Sequence, residues 1–254
     1  PCHINGIEKA SEKFPDLKKK IKFKISLFCG GTSSIFSTKY LLKLLNIDEN
    51  EILSIRYRGE GWPGSFSITK KNGSVVKIPY RSKKAMGGVF SSPFFRPFYC
   101  TMCSDPFGRL SDVSVGDAWL KRFNRDKNGR NIILIRTKEL NDIVKKMSEK
   151  RIIYLSDAAI EELTESTSSL INSRYYNLDL KIKYFKMLFD KDYKYKIKSY
   201  EYYHVFDRFQ ILLFLILKKY IFMMDKKKIT KHLPLWFILP FSVLNLIERK
   251  VLRK

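Results

Sequence analysis

The sequence predicts an α/β fold: a mixed sheet with flanking helices, followed by a helical, basic C-terminal tail. Three observations carry this. An alternating stretch at Ile21–Cys29 and an apolar stretch at Asn131–Arg136 are interleaved with helix-spaced stretches at Ile35–Leu45 and Thr137–Lys150. Lys71-Asn72-Gly73 lies between Ser65–Thr69 and Ser74–Ile78, a hairpin signal that adds antiparallel pairing. Beyond Asn177 the character changes, with 18 basic residues against 7 acidic ones amid aromatics, Leu and Ile. The expected division is therefore residues 1–175 for the α/β part and 176–254 for the tail.

Each element has its own reason. In Ile21–Cys29 the residues Ile21, Phe23, Ile25 and Leu27 are expected to face the core, with Lys22, Lys24 and Ser26 outward. Cys29 ends that strand, Gly30-Gly31-Thr32-Ser33-Ser34 makes a small-residue loop, and Tyr40, Leu41, Leu44 and Leu45 mark a helix face. Ligands in open α/β sheets collect at such strand ends. Ile52–Tyr57 reads as a strand, and Arg58–Gly64 as a turn-rich loop. Residues 81–97 read as loop, and Leu110–Val115 as a short strand leading into Gly116-Asp117-Ala118-Trp119. Thr137 is placed to cap a helix with Ile143, Val144 and Met147 inward. Ile152–Leu155 reads as a strand, and Ser156 or Asp157 as the cap of another helix. In the tail, Phe209–Leu217 is interrupted by Lys218-Lys219, and Leu233–Ile247 by Pro234 and Pro240, so neither reaches the roughly 20 residues of a spanning helix. A helical hairpin lying on an anionic membrane surface through residues 200–254 is one reading, with Lys226-Lys227-Lys228 between its arms. A helical pair packed on another domain or subunit is the other.

Lys and Arg number 49 against 25 Asp and Glu, a net charge of +24 over 254 residues. Anionic partners suit that balance. Four cysteines are too sparse for a disulfide scaffold, and the first residues do not read as a secretory signal. A cytoplasmic location follows as an expectation, peripheral on the inner membrane face if the tail binds there. The chain opens on Pro1 rather than Met and is expected to be a piece of a longer protein.

Cys100 and Cys103 stand at a two-residue spacing, while Cys2 and Cys29 each sit in a short motif of their own. Two and two make the ligand count of a [4Fe–4S] cluster. The spacing alone also suits zinc, a redox disulfide or plain buried thiols. Arg56-Tyr57-Arg58-Gly59-Glu60-Gly61-Trp62-Pro63-Gly64 combines cations, an aromatic and pliant backbone. It suits a dinucleotide pyrophosphate or, equally, a structural turn. No G-x-G-x-x-G follows a strand, no Walker A motif occurs, and His3, His204 and His232 form no spaced set. Asp105, Asp112 and Asp117 suit metal ligation, but the favoured reading is that they cap turns and fix loop backbone.

These motifs together resemble the coenzyme F420 hydrogenase/dehydrogenase beta-subunit family. Pro1-Cys2-His3-Ile4-Asn5-Gly6-Ile7 is similar to its Gly-Thr-Pro-Cys-Gln stretch, with His3 where Gln is usual. Cys29–Ser34 resembles its strand-end cysteine loop, and Ser54–Gly64 its Arg-Tyr-Arg-Gly…Gly-Trp-Pro-Gly signature. Cys100–Trp119 resembles Cys-x-x-Cys-x-Asp…Asp-Ile-Ser-Val-Gly-Asp-Ala-Trp, and Asn128–Thr137 the strand after it. The likeness covers roughly residues 1–175 and leaves the tail outside. It implies an iron–sulfur flavoprotein oxidoreductase in which electrons pass between a [4Fe–4S] cluster, FAD and a hydride acceptor, F420 in members that use it. Carried over, Cys2, Cys29, Cys100 and Cys103 become cluster ligands. Arg56, Arg58, Gly59, Gly61, Trp62 and Gly64, with Gly116 and Asp117, become candidates for the flavin pocket. An electron-donor protein or an upstream ferredoxin-like domain is the implied partner; nucleic acid is not expected. Two other classes compete: a zinc-containing basic binding module, and a non-catalytic membrane-surface partner that keeps the fold.

Overall fold

A computed structural model describes residues 1–82, 89–190 and 205–226. In chain order the elements are α1 (Cys2–Lys13), α2 (Pro15–Lys20), β1 (Ile25–Leu27), α3 (Ile35–Leu44), β2 (Ile52–Gly59), β3 (Ser65–Lys70) and β4 (Val75–Pro79). They continue with α4 (Phe98–Thr101), β5 (Val113–Asp117), β6 (Asn131–Ile135), α5 (Lys138–Glu149), α6 (Ile160–Tyr175), α7 (Leu178–Phe189) and α8 (Val205–Lys226). The fold is mixed α/β. It forms two compact units: Pro1–Gly30 with Cys103–Arg174, and Gly31–Met102 with Tyr175–Lys254. One unit boundary, at Arg174/Tyr175, sits beside the expected change of character, and the residues after it belong with Gly31–Met102.

The first unit is built on a mixed sheet of order β1-β5-β6, with β1 parallel and β6 antiparallel to β5. β1 is shorter than the alternation over Ile21–Cys29 suggests, and its facing is reversed. Ser26 is buried, while Ile25 and Leu27 are 66% and 69% exposed. The cause is the loop that crosses the Ser26 face. Gly108 comes so near that a Cβ there would lie 2.3 Å from Ser26 Oγ, so only a small residue fits beneath it. Ser114, next to Ser26 on β5, is buried on the same face and shares a 2.8 Å hydroxyl hydrogen bond with Ser111. Gly116 has a comparable reason: a Cβ there would stand 2.0 Å from the ring of Phe28, which packs edge-on against Phe107.

Three further expectations change here. Residues 2–20, unassigned from the sequence, form α1 and α2, with Ile4 and Ser11 buried. Ile152–Leu155 is not a strand; Arg151 takes a left-handed φ of 55°, and Ile152, Tyr154 and Leu155 are exposed. In α5, Thr137 makes no side-chain capping bond and Leu140 is the buried residue, with Ile143 facing out.

In the second unit β2, β3 and β4 form an antiparallel meander, and its β3–β4 turn has Gly73 at φ 82° as the hairpin signal requires. Its core joins Tyr40, Leu41 and Leu42 of α3 to Phe66 and Ile68 of β3 and to Phe90, Phe94 and Phe95. The tail helices complete it. Phe214 of α8 packs on Phe94 at 5.3 Å, and Phe185 and Phe189 of α7 pack on Phe98 at 5.7 and 4.7 Å. Among the described residues no helix is long and apolar enough to cross a membrane. The second arm of the expected membrane hairpin, Leu233–Ile247, and Lys227-Lys228 lie outside the described residues.

Replacing Gly116 by Ala forces a methyl group into the Phe28 ring. The Gly116→Ala protein is expected to lose about 1–3 kcal/mol of stability, read as a lower urea midpoint at unchanged m-value.

Candidate functional site

The loop that begins at Cys103 is held from several sides within the first unit. Asp105 accepts the Arg109 amide at 2.9 Å on one oxygen and the Asn5 side-chain amide at 3.3 Å on the other. Asn5 lies one turn into α1, the helix that opens at Cys2. The Cys29 amide donates to the Pro106 carbonyl at 2.8 Å. Arg136 donates to Ser114 Oγ at 2.8 Å and to the Phe107 carbonyl at 3.0 Å, tying the loop down at its far side. Thus the segments bearing Cys2, Cys29 and Cys103 all abut the stretch 103–106. Asp112 has the role expected of it: its carboxylate accepts the Lys24 amide at 2.7 Å and fixes the start of β1.

All four cysteines are free thiols. Cys2 is exposed, and Cys29 and Cys103 are partly buried. Burial pushes the Cys103 thiol up in pKa, while the Asp105 amide, which donates to its sulfur, and the charge of Arg174 pull it back. Cys29 is close enough for its own charge to be felt at Cys103. Cys100 is buried in the second unit, on the short turn α4. Among the described residues no three His, Cys, Asp or Glu side chains are gathered tightly enough to hold a metal ion.

The flavin-pocket candidates divide between the units: Arg56–Gly64 in the second, Gly116 and Asp117 in the first. The Arg56–Gly64 loop closes on itself. The Arg58 guanidinium lies between the rings of Trp62 and Tyr80, 4.6 and 4.5 Å from their centroids, and its Nε donates to the Pro63 carbonyl at 3.1 Å. Gly61 and Gly64 take left-handed φ values of 85° and 78°, and Trp62-Pro63 is cis. A Cβ at Gly64 would lie 2.3 Å from the Gly59 carbonyl oxygen, and one at Gly59 would meet the Arg56 side chain. Asp117 ends β5, where its carbonyl accepts from Ser166 Oγ at 3.2 Å.

Two buried cations were not among the residues singled out from the sequence. Lys218 of α8 is 2% exposed and donates to the carbonyls of Pro93 and Arg96, just ahead of α4. Its ammonium lies 5.1 Å from the Phe98 ring centroid. Burial pushes its pKa down to about 7, the nearby Arg96 charge adds to the fall, and Cys100 opposes it. A lysine pair inside an apolar run was the available signal. Arg174, at the end of α6, is 3% exposed, and its Nε has no hydrogen-bond partner. No sequence pattern marks it.

The family model for the C terminus of the coenzyme F420 hydrogenase/dehydrogenase beta subunit matches residues 1–161. The chain belongs to this family. The matched span takes in all four cysteines, the Arg56–Gly64 loop and Gly116-Asp117. α7 and α8, with Arg174 and Lys218, lie beyond it. The chain is also 26% identical over 178 residues to the uncharacterized protein MJ0725 of Methanocaldococcus jannaschii, covering 64% of this chain and 57% of that protein. The chain therefore spans little more than half the length of this relative. The family is one of hydrogenase/dehydrogenase subunits, which points to redox chemistry in general.

The two-ring stack on Arg58 is expected to be worth about 1–2 kcal/mol with its hydrogen bond. Arg58→Ala should lower the thermal midpoint, and Arg58→Lys should recover only part of the loss because it lacks the planar fork.

Proposed function

We propose that this chain is the iron–sulfur flavoprotein part of an F420- or ferredoxin-linked oxidoreductase. It would pass electrons between a [4Fe–4S] cluster, FAD and a hydride-accepting substrate. The observation that carries the reading is the convergence of the Cys2, Cys29 and Cys103 segments on residues 103–106, with every thiol free. The donor set fits the group. Four thiolates are the usual ligands of such a cluster, and each binds its own iron, so they need not close round a single ion. When bound, the cluster supplies one-electron transfer and the flavin exchanges single electrons for a hydride.

The protein's own residues supply orientation and a tuned environment. Cys29 is held by its backbone hydrogen bond to the Pro106 carbonyl, and the Asp105 backbone amide opposes the burial-driven rise in the Cys103 pKa. Amide-to-sulfur bonds of this kind stabilise a thiolate and raise a cluster's potential. Cys100 joins through its two-residue spacing from Cys103. Arg56, Arg58, Gly59, Gly61, Trp62 and Gly64, with Gly116 and Asp117, remain the proposed flavin contacts. In that reading the inward-turned Arg58 shapes the loop and Arg56 is left to meet phosphate. The electron donor is a separate protein or an upstream ferredoxin-like domain, and the proposed setting is cytoplasmic.

The test is anaerobic purification of the full-length gene product, with iron, acid-labile sulfide and flavin counted and the visible spectrum recorded. Four iron and four sulfide per chain at this site are expected, falling by at least tenfold in Cys29→Ser, Cys100→Ser and Cys103→Ser. Zinc without sulfide, or full iron content in all three variants, overturns the assignment.

A further inference from the structure

The redox reading leaves the apolar helix of the tail unused. α8 is apolar on two sides. One side is packed: Leu215 is fully buried, Phe214 lies on Phe94 at 5.3 Å, and Lys218 donates to the carbonyls of Pro93 and Arg96. The other side is bare. Phe209, Ile216, Tyr220 and Met223 are 63%, 45%, 53% and 55% exposed. Their spacings of seven, four and three residues put them in one stripe about 60° wide, on the side of the helix away from Phe214 and Lys218. A contiguous line of bulky apolar side chains left in the open marks a surface that something else covers.

Charge points to what covers it. The positions of Arg208, Lys219 and Lys226 run along one border of the stripe. From Lys226 to Lys254 the sequence carries eight Lys and Arg against Glu248 alone, around the apolar run Leu233–Ile247. An apolar stripe bordered by cations is the pattern of a helix lying in the plane of an anionic bilayer. The spacing of seven would also seat a second copy of α8. Two copies, however, would each bring a tail of 18 basic and 7 acidic residues, and like charge opposes that pairing. Anionic lipid is attracted by the same charge.

We propose that α8 is a docking helix for an anionic lipid surface, with Phe209, Ile216, Tyr220 and Met223 entering the boundary between headgroups and acyl chains. The cations beside them and after them in the chain meet lipid phosphate. The Lys218 side stays attached to the second unit, so the helix lies on the bilayer and holds that unit at its surface. This agrees with the absence, among the described residues, of a helix able to cross a membrane. The inference does not draw on the [4Fe–4S] reading.

The experiment is co-sedimentation of the full-length gene product with vesicles of phosphatidylcholine alone and of phosphatidylcholine mixed with phosphatidylglycerol. Binding is expected to the mixed vesicles only, and to weaken as salt is raised. Replacing Ile216, Tyr220 and Met223 together by Ser should weaken it at least tenfold while the far-ultraviolet spectrum and thermal midpoint stay unchanged. Replacing Lys226, Lys227 and Lys228 by Gln should cost about fivefold for each charge removed. If the triple Ser variant does not fold, the single Phe209→Ser decides, with an expected loss of about fivefold. No binding to mixed vesicles, equal binding to both kinds, or unchanged binding by the folded stripe variant overturns the proposal. Concentration-dependent self-association that the stripe variant abolishes, without vesicle binding, overturns it in favour of a second copy.

Discussion

The loop after the CxxC is held by side chains rather than by strand pairing, and the rest of the first unit follows from that. Arg136 reaches across to the Phe107 carbonyl and the Ser114 hydroxyl, while Asp105 grips the loop from the other end through Arg109 and Asn5. The loop can lie this flat only over small side chains. Ser26 and Ser114 therefore occupy the face that apolar residues would ordinarily take, and Gly108 supplies the close approach. The polar cost of that face is offset because its hydroxyls are bonded to one another, to backbone and to a guanidinium. Loop position in turn sets where Cys103 stands relative to Cys29.

This arrangement explains where the sequence was legible. α3, the β3–β4 hairpin and β6 follow from periodicity and turn chemistry, since each packs one apolar face on a core in the usual way. β1 was found but faced wrongly, because alternation cannot say that a serine-lined surface will be the covered one. α1 was missed because its apolar stripe is thin: Ile4 is buried and Ile7 already exposed. Ile152–Leu155 has strand-forming residues and no partner strand among those described, so propensity had nothing to pair with.

The site shows the same split. The cysteines and their order were readable, because thiols at fixed spacing are rare. That Cys29 abuts Pro106 was not readable, since it depends on a backbone bond between distant segments. The Arg56–Gly64 loop could be marked as special by its glycines. Its inward cation–π stack depends on Tyr80, which arrives from beyond the hairpin. Lys218 looked like an interruption of an apolar run and is instead the polar anchor of that run, the kind of local inconsistency that signals a tertiary role.

The reversed facing of β1 leaves an apolar rim on the sheet. β1 is the outermost strand of the β1-β5-β6 sheet, with Ile25 and Leu27 bare. Such an edge is an invitation to intermolecular stacking. Here the strand is only three residues long, and the exposed Lys20 and Lys22 precede it in the chain. Brevity and like charge thus both count against self-templating along this edge.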